Sequence, residues 1–206
     1  MFAVVTDGSI TSFPNGNKGI QIGDNKYPAA IYTLWTEAER NAIGIYTVIE
    51  DNTNRKDGDW YTNTNHTYAY DADAGTVTAT YGSATAKAIA DKTWTQQNSD
   101  DGLMPDDKSV GDVKVEGLKT IKNRMIDRQC AGQLTPSDWR VIREQETGNA
   151  MDSDWKTWSA SIRTKCNSMQ TQITNAANID ALAALFTYTE TDGVVSRPLG
   201  EFPEKS

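Results

Sequence analysis

One histidine, two cysteines and a few closely spaced carboxylates and guanidiniums are the side chains here that could do chemistry. His66, in NTNHTYAY, has no second His and no Cys beside it, so it reads as a sheet-face residue rather than a metal ligand. No nucleophile-elbow motif supplies it with a serine. Cys130 and Cys166 sit in no catalytic signature, and Cys166 falls on an apolar helical stripe, where a small buried thiol belongs. Glu144 and Glu146, two apart on a helix, point in different directions and do not form a shared acid–base site. Arg140 and Arg143 have the groups to grip a phosphate or carboxylate, but solvated ion pairing with Asp138 and Glu144 accounts for them. GNKGIQIG lacks the order of a phosphate loop, and DDGLMPDD lacks the alternating oxygen ligands and closing Glu of a calcium loop. Trp155 and Trp158 have faces that stack on bases or sugars, yet at helical spacing they read as core. The expectation is a chain that is not an enzyme, with no catalytic residues, no cofactor and no metal.

Composition points the same way. The 206 residues carry 20 basic and 28 acidic side chains, a net charge of −8. Residues 1–86 hold 5 basic against 10 acidic, and residues 87–206 hold 15 against 18, so neither half offers a basic module for nucleic acid. Six Trp and eight Tyr in so polar a chain suit short strands and contact surfaces better than one large aliphatic core. No apolar run approaches the roughly 20 residues of a membrane helix. MFAVVTDGSI lacks a basic n-region, so no signal peptide and no membrane partner are expected. With two cysteines and no disulfide framework, a reducing cytoplasm is expected.

The elements that would position these residues fall in order. Residues 1–86 read as a small antiparallel β-rich domain, a meander: Phe2–Thr6 and Ile10–Phe13 around DGS, then Ile45–Ile49, Trp60–Asn63, Thr67–Tyr70 and Thr76–Tyr81. One helical turn interrupts it, with Thr36 and Glu39 as a capping box and Gly44 as its stop. Residues 87–117 read as a linker or extended excursion. Residues 118–187 read as a helical hairpin or bundle. Its first helix carries Leu118, Ile121, Met125 and Ile126 and ends near Gly132. Thr135 then caps a second helix, with Pro136 at its first position, Trp139 and Ile142 facing inward, and Gly148 as its stop. A third helix starts at Asp152 or Ser153 and carries the seam Trp155, Trp158, Ile162, Cys166, Met169, Ile173 at nearly 3.5-residue period. Asn178 caps a short last helix, and residues 188–206 form a hairpin on Asp192-Gly193 with a Pro-rich tail. The fold class is α+β. The seam closes either within one chain or between copies, so homo-oligomerisation stays open.

VVTDGSITSFPNGNKGIQIGDNKYPAAIYTLWTEAERNAIGIYTV resembles the N-terminal part of proteins of tailed-bacteriophage tail modules, at Tyr27-Pro28, Leu34-Trp35, Glu39, Arg40 and Gly44-Ile45. LTPSDWRVIREQETGNAMDSDWKTWSASIRTK is similar to the C-terminal helical part of phage tail or tail-fibre assembly proteins, at Asp138-Trp139, Arg143, Glu146, Gly148, Trp155 and Arg163. The resemblance implies a tail-assembly protein of chaperone type that binds a tail fibre or other tail protein, in the host cytoplasm during assembly. The alternatives are a structural component of the mature virion tail and a carbohydrate-binding module. Trp35, Trp60, Trp139 and Arg143 are the expected partner-binding residues.

Overall fold

The alternating FAVVT run forms β1 (Phe2–Thr6), which pairs antiparallel with β2 (Ser9–Ser12). Asp7 and Gly8 between them both take positive φ, 50° and 74°, as a two-residue turn matched to strand twist requires. The structure, a computed structural model, describes residues 1–205 and divides between Ala86 and Lys87 into two compact units.

In the first unit a small hairpin, β3 (Ile20–Ile22) with β4 (Asn25–Tyr27), leads into a short helix, α1 (Ile31–Leu34). Next comes α2 (Glu37–Ala42), which starts on the expected capping box. The Thr36 N–H donates to Glu39 Oε2 at 2.8 Å, and the Glu39 N–H donates back to Thr36 Oγ1 at 3.3 Å. The first of these bonds is the main cause that holds the Glu39 carboxyl below its usual range. Gly44 ends the helix at φ 82°, where a Cβ would lie 2.6 Å from the Val5 carbonyl oxygen, so both conformation and space demand glycine.

The expected meander is corrected at the next strand. β5 (Ile45–Asp51) pairs antiparallel with β1, but its other neighbour is β8 (Thr76–Tyr81), which runs parallel to it with Val48 opposite Val77. Parallel neighbours need a crossover of a dozen or more residues. Residues 52–65, with β6 (Tyr61–Thr62), and the intervening β7 (His66–Asp71) supply it, and β9 (Thr85–Ala86) pairs back with β6. The sheet order is β2-β1-β5-β8-β7. One face buries Ala3, Val48, Val77 and Ala79. The other buries Val4 and Ile45 under Ile31 and Tyr32 of α1. The edge strands β2 and β7 approach each other, and the Phe13 ring lies 4.3 Å from that of Tyr68. His66 stands on the sheet, its ring 4.2 Å from that of Tyr81.

The second unit begins with the stretch expected as linker or excursion. It contains β10 (Lys92–Thr93) paired with β11 (Val113–Val115), and α3 (Gln96–Asp100) on a Thr95–Asn98 capping box. This stretch also caps the helix that follows, α4 (Leu118–Thr147). The Leu118 and Lys119 N–H groups donate to the Ala88 and Ile89 carbonyls, and Gly117 N–H and Thr120 Oγ1 donate to the two Asp91 carboxylate oxygens at 2.6 and 2.9 Å. Donors left open at a helix start are thus satisfied from 26 or more positions upstream.

α4 corrects the sequence reading. Instead of one helix ending near Gly132 and another capped by Thr135, a single 30-residue helix passes through both positions, with Pro136 inside it. Pro136 removes only the N–H that would have bonded to Gly132. Nearby side chains bond to the backbone: Thr135 Oγ1 donates to the Ala131 carbonyl at 3.0 Å and Ser137 Oγ to that of Leu134 at 2.7 Å. The decisive term is packing. Ile126 and Cys130 before the proline and Ser137 after it are all buried, which holds one helical phase on both sides.

α5 (Ser153–Asn175) buries Trp158, Ile162, Cys166, Met169 and Ile173, most of the expected seam, and packs against α4. The seam closes within one chain. Where the helices approach, small residues fill the contact: Ser137 and Ser159 are buried with their hydroxyls bonded within their own helices, and Cys130 and Cys166 are both buried as free thiols. α6 (Ile179–Phe186) starts on Asn178, whose Oδ1 accepts from the Ala181 N–H at 2.9 Å. β12 (Thr189–Thr191) and β13 (Val194–Ser196) form the hairpin on Asp192 and Gly193, both at positive φ. The tail is fastened rather than loose. Leu199 is fully buried, its carbonyl accepts from Lys165 Nζ at 2.8 Å, and Lys205 Nζ reaches Asp154 at 2.9 Å.

Candidate interaction surface

The four residues expected to meet a partner fall in two units. Trp35 and Trp60 belong to the first. The Trp35 ring is partly buried edge-on to Tyr27 at 5.8 Å, and its carbonyl accepts from Arg40. Trp60 is only 7% exposed, so it supports its unit from within rather than presenting its ring. Trp139 and Arg143 belong to the second, and the structure brings them together beside Arg140 and Asn149, where the α4–α5 loop begins.

The inward orientation expected for Trp139 and Ile142 is corrected: they are 52% and 56% exposed, and Val141 is exposed beside them. The cause is the helical phase. A helix restarting at Thr135 would be free to turn Trp139 inward. A helix already phased by Ile126, Cys130 and Ser137 must turn Trp139 outward, because it lies two residues, about 200°, from Ser137.

A layered set of groups holds this surface. The Arg140 guanidinium lies 4.4 Å from the Trp139 ring centre and 3.8 Å from that of Trp155. Trp155 meets Trp158 edge-on at 5.4 Å, and Lys205 Nζ approaches the Trp155 ring at 5.2 Å. Arg140 also donates to the Pro136 carbonyl at 2.8 Å. The sequence reading paired the arginines with Asp138 and Glu144. In the structure Glu144 takes Lys156 of α5 at 2.7 Å, and that hydrogen bond holds the Glu144 carboxyl below its usual range. Likewise Lys205 lowers Asp154. The signals missed in the sequence were Arg140, whose neighbours come from two helices, and the tail, whose partners lie about 50 positions upstream.

Beside this face, Gln129, Gly132 and Gln133 of α4 form one wall of an open cleft of about 580 Å³, with Tyr188, Phe202 and Pro203 opposite. Within it Arg197 bridges to Glu201 at 2.7 Å, and the Tyr188 hydroxyl donates to Glu201 at 2.7 Å. Among the described residues no group of three or more His, Cys, Asp or Glu is placed to hold a metal ion. No helix among them is long and apolar enough to cross a membrane. No protein-family model, curated protein or solved structure matches the chain.

Proposed function

We propose that this chain is a bacteriophage tail or tail-fibre assembly protein, which binds a tail or fibre component and assists its folding or attachment. Its residues at Tyr27-Pro28, Leu34-Trp35, Asp138-Trp139, Arg143, Glu146 and Trp155 support the family reading by resemblance. The observation that carries an interaction role is the outward placement of Trp139 and Ile142 on a helix held rigid along its other side. Exposed Trp backed by Arg is the composition that anchors protein contacts. The Arg140 stack holds the indole in one orientation, so little side-chain freedom is lost when a partner covers it.

The test is quantitative mass spectrometry of purified infectious particles and of infected-cell lysate, with affinity capture of tail proteins by the full chain. An assembly factor that departs is abundant in lysate, absent from particles and captures a tail or fibre protein. Presence at fixed copy number in the particle makes it a structural tail component instead. No capture and no presence in particles overturns the proposal.

A further inference from the structure

The open cleft between α4 and the C-terminal tail has two walls that the fold holds in place. One is α4 itself. The other is the segment after β13, which is tied down at three points. The Leu199 N–H donates to the Leu185 carbonyl at 3.1 Å, Lys165 Nζ to the Leu199 carbonyl at 2.8 Å, and Trp158 Nε1 to the Pro203 carbonyl at 3.0 Å. A space of about 580 Å³ between such walls has the size of a small-molecule site.

Opposite α4 stands Tyr188, half exposed. Its hydroxyl donates to Glu201, and the Arg197 guanidinium lies over its ring, 5.1 Å from the centre. Arg197 is largely buried and is itself held by Glu201 and by the Gly200 carbonyl, to which its Nε donates at 3.2 Å. The ring is therefore fixed at its hydroxyl and on one face, while the rest of its surface is open. On the facing wall, Gln129 and Gln133 lie one helical turn apart. Among the described residues their amides make no hydrogen bond, and the Glu204 carboxylate makes no ion pair.

We propose that this cleft binds a neutral saccharide of one or two rings, stacked on Tyr188 and hydrogen-bonded by Gln129, Gln133 and Glu204. Three features select that class. First, an aromatic ring fixed in orientation is a platform for the C–H face of a sugar, which is apolar although its rim carries hydroxyls. Second, each amide brings donors and an acceptor, and the carboxylate brings acceptors. Neighbouring hydroxyls, which both donate and accept, answer all of them. An apolar ligand would cover the same groups and leave them without partners. Third, the lining sets one cation, Arg197, against two carboxylates, Glu201 and Glu204, and the cation is already bonded to Glu201. A phosphate or carboxylate would meet repulsion and no free cation. The inference stands apart from the Trp139 face and from the phage assignment.

Saturation-transfer difference NMR on the full chain tests it. The probes are glucose, galactose, mannose, N-acetylglucosamine, maltose and lactose, with acetate and trilysine as charged probes. Transfer to at least one sugar is expected, with a dissociation constant of about a millimolar. Tyr188→Ala should weaken that binding about tenfold or more, because it removes the platform. Gln133→Ala should weaken it about fivefold, the worth of one hydrogen bond. Gln133 sits at an exposed helix position where Ala is the better helix former, so this variant keeps its fold even if Tyr188→Ala loosens the tail. No transfer to any sugar, unchanged sugar binding in both variants, or binding of acetate or trilysine in place of sugars would overturn the inference. Sugar binding without capture of a tail protein would keep this site and count against the assembly reading. Capture without sugar binding would do the reverse.

Discussion

The indole N–H of Trp158 donates to the Pro203 carbonyl at 3.0 Å, joining the middle of the helical hairpin to a tail 45 positions later. Trp158 is buried and meets Trp155 edge-on, so one side chain serves both the seam and the strap. Trp139, 19 positions before it, has the same chemistry and the opposite fate, with half its surface exposed.

That contrast gives a paired prediction. Trp158→Ala should destabilise the second unit by about 3–5 kcal/mol, the range for emptying a buried aromatic site. Trp139→Ala should change stability by less than about 1 kcal/mol, because an exposed ring takes little packing with it. Urea titrations followed by circular dichroism measure both, and similar losses would contradict the phase assigned to α4.

Gly44→Ala should destabilise the first unit by about 1–3 kcal/mol, from a positive φ and the close Val5 carbonyl together. Gly75→Ala is the control, since it shares a positive φ but meets no atom within 4 Å. Thermal melting should show a larger loss at Gly44.

The strap should loosen in acid. Hydrogen bonds from Lys205 and Lys156 lower the carboxyls of Asp154 and Glu144 in the folded chain. For such groups the contribution is fully present above the ordinary carboxylate range and is lost as pH falls through the lowered folded values. Both pairs lie at the surface, so the effect is small and screened by salt. Hydrogen exchange of the Leu199–Lys205 amides should rise as pH drops below the carboxylate range, after correction for intrinsic rates. Asp154→Asn should remove most of that pH dependence.

The Cys166 thiol should resist modification. Burial, and secondly its hydrogen bond with Cys130, push it up to about 11, so almost no thiolate exists at neutral pH. A chromogenic disulfide reagent should react slowly with the native chain and rapidly with both cysteines after unfolding. Fast native reaction would show that the seam opens.

Asp91→Ala should destabilise the second unit by about 1–2 kcal/mol, as the loss of a helix cap does, since it frees both Gly117 N–H and Thr120 Oγ1. Denaturant unfolding reads the loss. No effect would mean that residues 87–117 are not fastened to α4 in solution.

Local signals were legible in the sequence wherever the physics is local. The Thr36–Glu39 capping box, the Gly44 stop, the Asn178 cap and the turns at Asp7-Gly8 and Asp192-Gly193 are each fixed by a few adjacent residues, and all are in the structure. The seam of α5 was legible for the same reason, since its period is written in one continuous stretch. Three features needed the tertiary structure. β8 beside β5 depends on a crossover whose ends lie far apart in sequence. The continuity of α4 through Gly132 and Pro136 depends on packing that outweighs two local stop signals, each worth only a few kcal/mol. The outward turn of Trp139 follows from that continuity. Sequence fixes which residues are apolar and how they are spaced, but the phase of a helix is set by what lies across from it, and only the folded chain supplies that.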